Sequence, residues 1–307
     1  DWNIKPLLLQ RAIRSSILVA GIFLINYKRY SSILRMFLII FKTISMFPLF
    51  LIHGISLAIS TILFRLNSSQ KKVTKKNLTH CGFYSNQLLR LSIDKTSESM
   101  MFYPYIWGNP KNYSKLIEKY NSNHEIFSKS ESKLIFTLHM GCVDVMLNLL
   151  SDEINSLDII YTPAKNNKLD KIIRTSRTHF KANMIPANET GMIKLYKNFL
   201  NKKSLAMASD LVPHNFNGKY SKFFGKKCFS IDLIEKLSKK GTHNIYFVYF
   251  SKGSQKKYKF NAINIGKQLT IDAMNQYFEK AIKESPELYG WEYKKFRKLD
   301  KESRNIY

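Results

Sequence analysis

His139 and Asp144 lie five positions apart in the run Leu-His-Met-Gly-Cys-Val-Asp, between two apolar stretches. The first, residues 134–138, has the length and composition of a buried strand; the second, from residue 143, opens a helix. A strand–turn–helix unit would put His139 at the carboxyl end of the strand and Asp144 in the first helical turn. Exposed N–H groups and the helix dipole favour a carboxylate there. From that turn Asp144 could hold one imidazole nitrogen, leaving the other as a base. Spacing alone does not decide this. With seven His and 22 acids in 307 residues, one such pair is expected about half the time by chance, and the same two residues could simply cap a strand and a helix.

Four further groups can carry chemistry. Lys171, Arg174 and Arg177 recur at i, i+3 spacing, a solvated stripe or a clamp for phosphate groups. Asp210, in Ala-Ser-Asp-Leu-Val-Pro, is an acid just past an apolar run, either forming a turn or orienting Arg177. Phe223, Phe224 and Gly225, ringed by Lys222, Lys226 and Lys227, suit a fatty tail beside an anionic head, or a surface turn with two core-facing rings. Cys142, beside His139, offers a rival nucleophile, although a buried cysteine is more often inert.

The segments that must position these residues alternate. Strands are expected at 133–138, 157–161, 182–185, 204–208 and 244–250, with 258–265 pairing back on the last. Helices are expected at 143–151, 166–180, 189–201, 231–240 and 271–283. This is an α/β fold, a mostly parallel sheet flanked by helices. Ligands in such folds gather at the carboxyl ends of the strands, where His139 and Asp210 would share a rim. Residues 77–130 read as mixed helix with an aromatic cluster at Phe102, Tyr103, Tyr105 and Trp107. Glu98 could face the site, although a solvated helix glutamate is the commoner case.

The amino-terminal part differs in character. Residues 1–76 hold twelve Lys and Arg against one acid, and 43–64 carry no charge, about the length that crosses a bilayer as a helix. Lys71, Lys72, Lys75 and Lys76 beyond it favour a cytoplasmic location for the remainder of the chain. Pro48, His53 and Gly54 interrupt the run, so an interfacial helix competes with a full span. The uncharged 15–27 resembles a signal-peptide core without a cleavage site, and a chain starting at Asp1 is expected to be a fragment or a trimmed product. The expected division is a membrane-associated segment, 1–65, and a catalytic domain, 66–307, with residues 66–76 as a polar linker. The net charge of +27 calls for an acidic partner. Nucleic acid is disfavoured, because no recognition helix, zinc ligands or aromatic RNA platform is present. Three widely spaced cysteines give neither a disulfide framework nor metal-ligand spacing.

Taken in order, these motifs resemble the lipid A biosynthesis lauroyl/myristoyl acyltransferases, within the wider His-x4-Asp/Glu glycerolipid acyltransferases. The resemblance runs from about Phe47 to Lys298. It is carried by Val73-Thr-Lys-Lys-Asn-Leu78, by His139 to Asp144, by Arg174-Thr-Ser-Arg177, by Ala208-Ser-Asp210 and by Phe223-Phe-Gly225. Most specific is Pro286-Glu-Leu-Tyr-Gly-Trp291 followed by Lys294-Lys-Phe-Arg297. It implies an acyltransferase at the cytoplasmic face of the inner membrane that moves a fatty acyl chain from acyl carrier protein, or coenzyme A, to a lipid A precursor without metal or cofactor. His139 would be its base and Asp144 the orienting acid. Gly141 or Arg177 would meet the oxyanion, Lys171, Arg174 and Arg177 the lipid phosphates, and Phe223 to Gly225 the acyl groove. Asp144 stands where the family usually has Glu, Cys142-Val143 replaces Asn-Trp, and Leu211 replaces a frequent Gln. These departures leave open another acceptor, a lysophospholipid or a different glycolipid, or an inactive membrane-associated homologue.

Overall fold

A computed structural model describes residues 34–122, 124–128, 131–213, 218–297 and 306–307. The expected signal-like run at 15–27 lies outside them.

Six strands form the main sheet, in the order β3-β2-β4-β1-β7-β8. They are β1 (Lys133–Thr137), β2 (Asp158–Tyr161), β3 (Asn183–Pro186), β4 (Leu205–Ala208), β7 (Asn244–Lys252) and β8 (Tyr258–Gly266). The first five in that order run parallel and β8 returns antiparallel beside β7. β1 lies between β4 and β7, and all five of its residues are buried, which is why its centre, Leu134 to Phe136, is apolar on both faces. A short helix, α5 (Tyr113–Leu116), precedes β1. Helices α6 (Val143–Glu153), α7 (Asn167–Ser176), α8 (Glu189–Leu200), α9 (Leu233–Ser238) and α10 (Ile271–Glu284) link and flank the strands. Their starts follow the local chemistry. Asn166 caps α7, Asn188 caps α8 and Thr270 caps α10, each side chain accepting an otherwise unpaired backbone N–H.

Register decides where the site can be. Thr137 of β1 pairs with Ala208 of β4. Two residues beyond each partner stand His139 and Asp210, so the parallel ladder delivers both to one level of one rim. The Ser209 amide donates to the Thr137 carbonyl, extending the ladder by a step.

Three expectations change. The polar stretch 66–76 is no linker: α3 (Ser69–His80) begins there, capped by the Ser68 hydroxyl, with Thr74, Asn77 and Leu78 buried. The region around Phe223 to Gly225 is the tip of a hairpin, β5 (Gly218–Phe223) and β6 (Lys226–Ile231), which forms a separate two-stranded sheet. Its two-residue turn has Phe224 at φ 50 and Gly225 at φ 70, the conformation that fits the twist of paired strands. The sequence hides this hairpin because most of its exposed positions, Lys219, Lys222, Lys226 and Lys227, are lysines rather than β-formers.

The third change is at the uncharged stretch 43–64. Helix α1 (Leu34–Ser45) and helix α2 (Leu49–Arg65) meet at a bend of 115°. Pro48 stands at the start of α2, where its missing N–H costs nothing, and it ends the preceding helix. Among the described residues no single helix is long and apolar enough to cross a membrane; the bent pair passes only together. Helix α2 packs on α4 (Asn86–Gly108) through polar side chains. Ser60 donates to Asp94 at 2.6 Å, and His53 Nδ1 lies 2.7 Å from Glu98. Ile52 is buried with them, whereas several other apolar side chains of α2 face outward, Phe50 being 71% exposed.

Candidate active site

After β1 the chain turns through Leu138, His139, Met140, Gly141 and Cys142 before α6 begins. The carboxyl-terminal segment clamps this turn. Met140 bridges to Tyr289, the Gly141 amide donates to the Leu288 carbonyl at 2.8 Å, and the Gly290 amide donates to the His139 carbonyl at 2.8 Å. Gly141 sits at φ +68, and a Cβ there would lie 2.8 Å from the Tyr258 ring. Glycine is thus required by both conformation and space. The Tyr258 hydroxyl accepts the Cys142 amide at 3.2 Å, closing the turn from beneath.

Asp210, not Asp144, holds the imidazole. His139 Nδ1 lies 2.8 Å from Asp210 Oδ1, and the His139 backbone amide donates to Oδ2 of the same carboxylate at 3.1 Å. An ionised carboxylate only accepts, so Nδ1 carries the hydrogen and Nε2 keeps its lone pair. Asp210 is 2% exposed, whereas the His139 side chain is 35% exposed and opens on the rim. Burial disfavours the charged imidazole, but Asp210, then Glu292 and Asp144, outweigh it, and the histidine is raised above its ordinary 6.5. Burial likewise opposes ionisation of Asp210, and His139 and Lys295 reverse that, holding its carboxyl below the usual range.

Asp144 is engaged elsewhere, which is the physical reason that the expected His139–Asp144 hydrogen bond is not formed. Arg177 Nε donates to its Oδ2 at 2.9 Å and Arg177 Nη2 to its Oδ1 at 2.6 Å. Trp107 Nε1 adds a third bond to Oδ2 at 2.7 Å. Asp144 is nonetheless near enough for its charge to favour the protonated imidazole. The expected pairings are exchanged: Asp210 takes His139 rather than Arg177, and Arg177 takes Asp144.

The structure separates the remaining candidates. Lys171, Arg174 and Arg177 line a cleft of about 770 Å³ with Tyr161, Phe180 and Pro186. They do not act as one clamp, since Arg177 turns inward at the end of α7 while Lys171 and Arg174 are exposed. Gly141 does not offer its amide to an oxyanion, because that N–H is taken by Leu288. Phe223 does not line the cleft either. It is wholly buried against Tyr289 and Phe296, while Phe224 packs edge-on to Phe83 at 4.9 Å. These two rings wall the carboxyl-terminal segment. Glu98 faces His53 and Lys95 rather than the site. Cys142 is fully buried, and burial pushes its thiol far up, which disfavours a thiolate nucleophile.

Sequence reasoning missed Trp107, Tyr258, Glu292 and Lys295 as parts of this centre. The matched motifs nevertheless converge on it. Asn77, from the basic segment, donates to the carbonyls of Trp291 and Tyr293 at 2.6 and 2.8 Å, and Trp291 Nε1 closes its own loop on the Pro286 carbonyl. The model of the bacterial lipid A biosynthesis acyltransferases matches residues 24–298, which include every residue of this site. The chain belongs to that family. It is therefore an acyltransferase of lipid A biosynthesis by kind. No single curated protein matches it in sequence. In this acyltransferase the most specific motif, residues 286–297, is the clamp on the His139 turn and on the Asp210 loop, where Lys295 Nζ donates to the Asp210 carbonyl at 2.7 Å.

Proposed function

We propose that this acyltransferase moves a fatty acyl chain from a thioester on acyl carrier protein to a hydroxyl of a lipid A precursor, with His139 as the general base. The observation that carries the reading is the His139–Asp210 contact of 2.8 Å, which fixes the ring tautomer and leaves Nε2 on the exposed rim. Nε2 takes the hydroxyl proton as the oxygen attacks the thioester carbon. The tetrahedral intermediate collapses by breaking the carbon–sulfur bond, and the imidazolium returns the proton to the departing thiolate. Asp210 orients the ring and stabilises the imidazolium between those steps. With the Gly141 amide committed to Leu288 and Arg177 giving Nε and Nη2 to Asp144, stabilisation of the oxyanion is assigned to the remaining N–H groups of Arg177. Lys171 and Arg174, at the cleft mouth, are assigned to the acceptor's phosphate groups.

The net charge of +27 supports an acidic carrier protein as the donor's partner and an anionic bilayer as the site of action. Residues 1–65 serve as the membrane-associated segment and 66–307 as the catalytic part, at the cytoplasmic face of the inner membrane. The outward apolar side chains of α1 and α2, beside Arg35, Lys42 and Arg65, support that placement.

Mass spectrometry of lipid A from cells with and without the functional gene tests the reading. One acyl chain fewer in its absence is the expected result. A change confined to phospholipids would move the acceptor to a lysophospholipid, and unchanged lipids would leave an inactive homologue.

A further inference from the structure

Lys295 is unusual in being a lysine that is 2% exposed. Burying an ammonium is costly unless something in the interior answers its charge. Its partners all belong to the wall behind His139. Nζ donates to the Asp210 backbone carbonyl at 2.7 Å and lies 5.4 Å from the centre of the Phe223 ring. The Lys295 amide donates to the Tyr293 carbonyl at 2.8 Å, and the Tyr293 hydroxyl accepts the Val212 amide at 2.7 Å. The same short segment thus grips the Asp210 loop at two points. A neutral donor would satisfy one carbonyl equally well; a cation adds a charge beside the carboxylate that orients the base.

We propose that Lys295 is a positioning residue of the acyl transfer, whose buried ammonium fixes the Asp210 loop and shares the negative charge of Asp210, so that His139 remains available as a base near neutral pH. The inference rests on the assignment of His139 as base. Its logic is electrostatic. Three carboxylates act on the imidazole: Asp210 from the loop after β4, Glu292 from the carboxyl-terminal segment, and Asp144 from α6, which Arg177, just past α7, already pairs. Glu292 is held by the Thr96 hydroxyl of α4 at 3.1 Å. All three favour the proton on His139, and a protonated imidazole cannot take the acceptor's proton. Asp210 itself faces His139, Lys295, Glu292, Tyr289 and Tyr293. Burial lowers the Lys295 ammonium below its ordinary value, and Cys228 of β6 and Asp210, which it faces, act to keep it charged. Among these groups Lys295 alone brings a positive charge to Asp210 besides the imidazole. It competes with the imidazolium for the same carboxylate and so restrains its protonation.

The test is the NMR titration of His139 in the detergent-solubilised full chain with labelled histidine, its signal identified by loss in His139→Gln. Lys295→Gln keeps a donor and removes the charge. It should raise the His139 midpoint by roughly one unit. The acid limb of kcat/KM, measured with an acyl-carrier-protein thioester and a lipid A precursor, should move up equally, with about a tenfold loss below the limb and recovery above it. Lys295→Arg should titrate as the parent does. If Lys295→Gln does not fold because Asp210 is left unbalanced, Lys295→Gln combined with Asp210→Asn removes both charges. Its midpoint should then match Asp210→Asn alone. An unmoved midpoint in Lys295→Gln, a loss of kcat/KM equal at all pH, or a further shift in the double variant would overturn the proposal. Because the titration needs no turnover, its failure is distinct from failure of the base assignment, which activity in His139→Ala would reveal.

Discussion

One carboxylate holds both the ring and the backbone amide of His139, and the chemistry of the site starts from that residue-level fact. The pair has a defined pH signature. Because the folded imidazole titrates above its ordinary 6.5, the stability it contributes is complete below that value and is lost as pH rises through the raised folded midpoint. With His139 as the proposed base, catalysis would develop over the same window, so kcat/KM should climb with pH while this contribution to thermal stability declines. A pH series of melting temperatures beside one of rates would check this opposition. The Asp144–Arg177 pair plays a different part. Asp144 is almost wholly buried and takes three hydrogen bonds, so removing the guanidinium leaves a charge uncompensated. Arg177→Ala should cost about 3 kcal/mol of stability, read by denaturant unfolding, whatever it also does to rate. Cys142→Ala should retain most activity in a thioester assay, since the buried thiol has no place in the proton path.

At the scale of elements, the carboxyl end of β1 and the segment that clamps it form one unit. Gly141→Ala would force a side chain into the Tyr258 ring from a left-handed backbone. It should cost about 2 kcal/mol or more and lower activity, because the His139 carbonyl and the Gly141 amide are tied to the same clamp. Tyr258→Phe, which strands the Cys142 amide, should cost about 1–3 kcal/mol in unfolding experiments and leave the turn in place. The parallel sheet was legible in the sequence because its central strands are short apolar runs separated by helical periodicity. That Asp210 and not Asp144 meets His139 was legible only in part. Both residues follow strand ends, yet strand order, and hence the Thr137–Ala208 register, cannot be read from spacing along the chain. The hairpin at Phe223 was missed because lysines dress its open face. Tyr258 and Lys295 act across large sequence separations and leave no local signal.

At the scale of the whole molecule, the bent helices α1 and α2 leave large apolar side chains exposed, Ile39, Phe50, Leu57 and Ile62 among them, although Phe41 and Ile52 are buried. Phe50→Ser and Leu57→Ser should each weaken co-sedimentation with phosphatidylglycerol-containing vesicles by about tenfold, while the isolated fold is unchanged. Added salt should weaken binding further by screening the flanking Arg and Lys. The site lies at the rim of the sheet; His139 does not line the basic cleft, which joins the site through Arg177 and its bonds to Asp144, and on the proposed function acceptor and donor would meet at His139. The most direct test of that meeting point is the rate of acyl transfer by the purified, folded His139→Ala and Asp210→Asn variants. No transfer above background is expected for His139→Ala, and a loss of about 10² to 10⁴-fold for Asp210→Asn. Transfer at the parent rate by His139→Ala would contradict a base at this position.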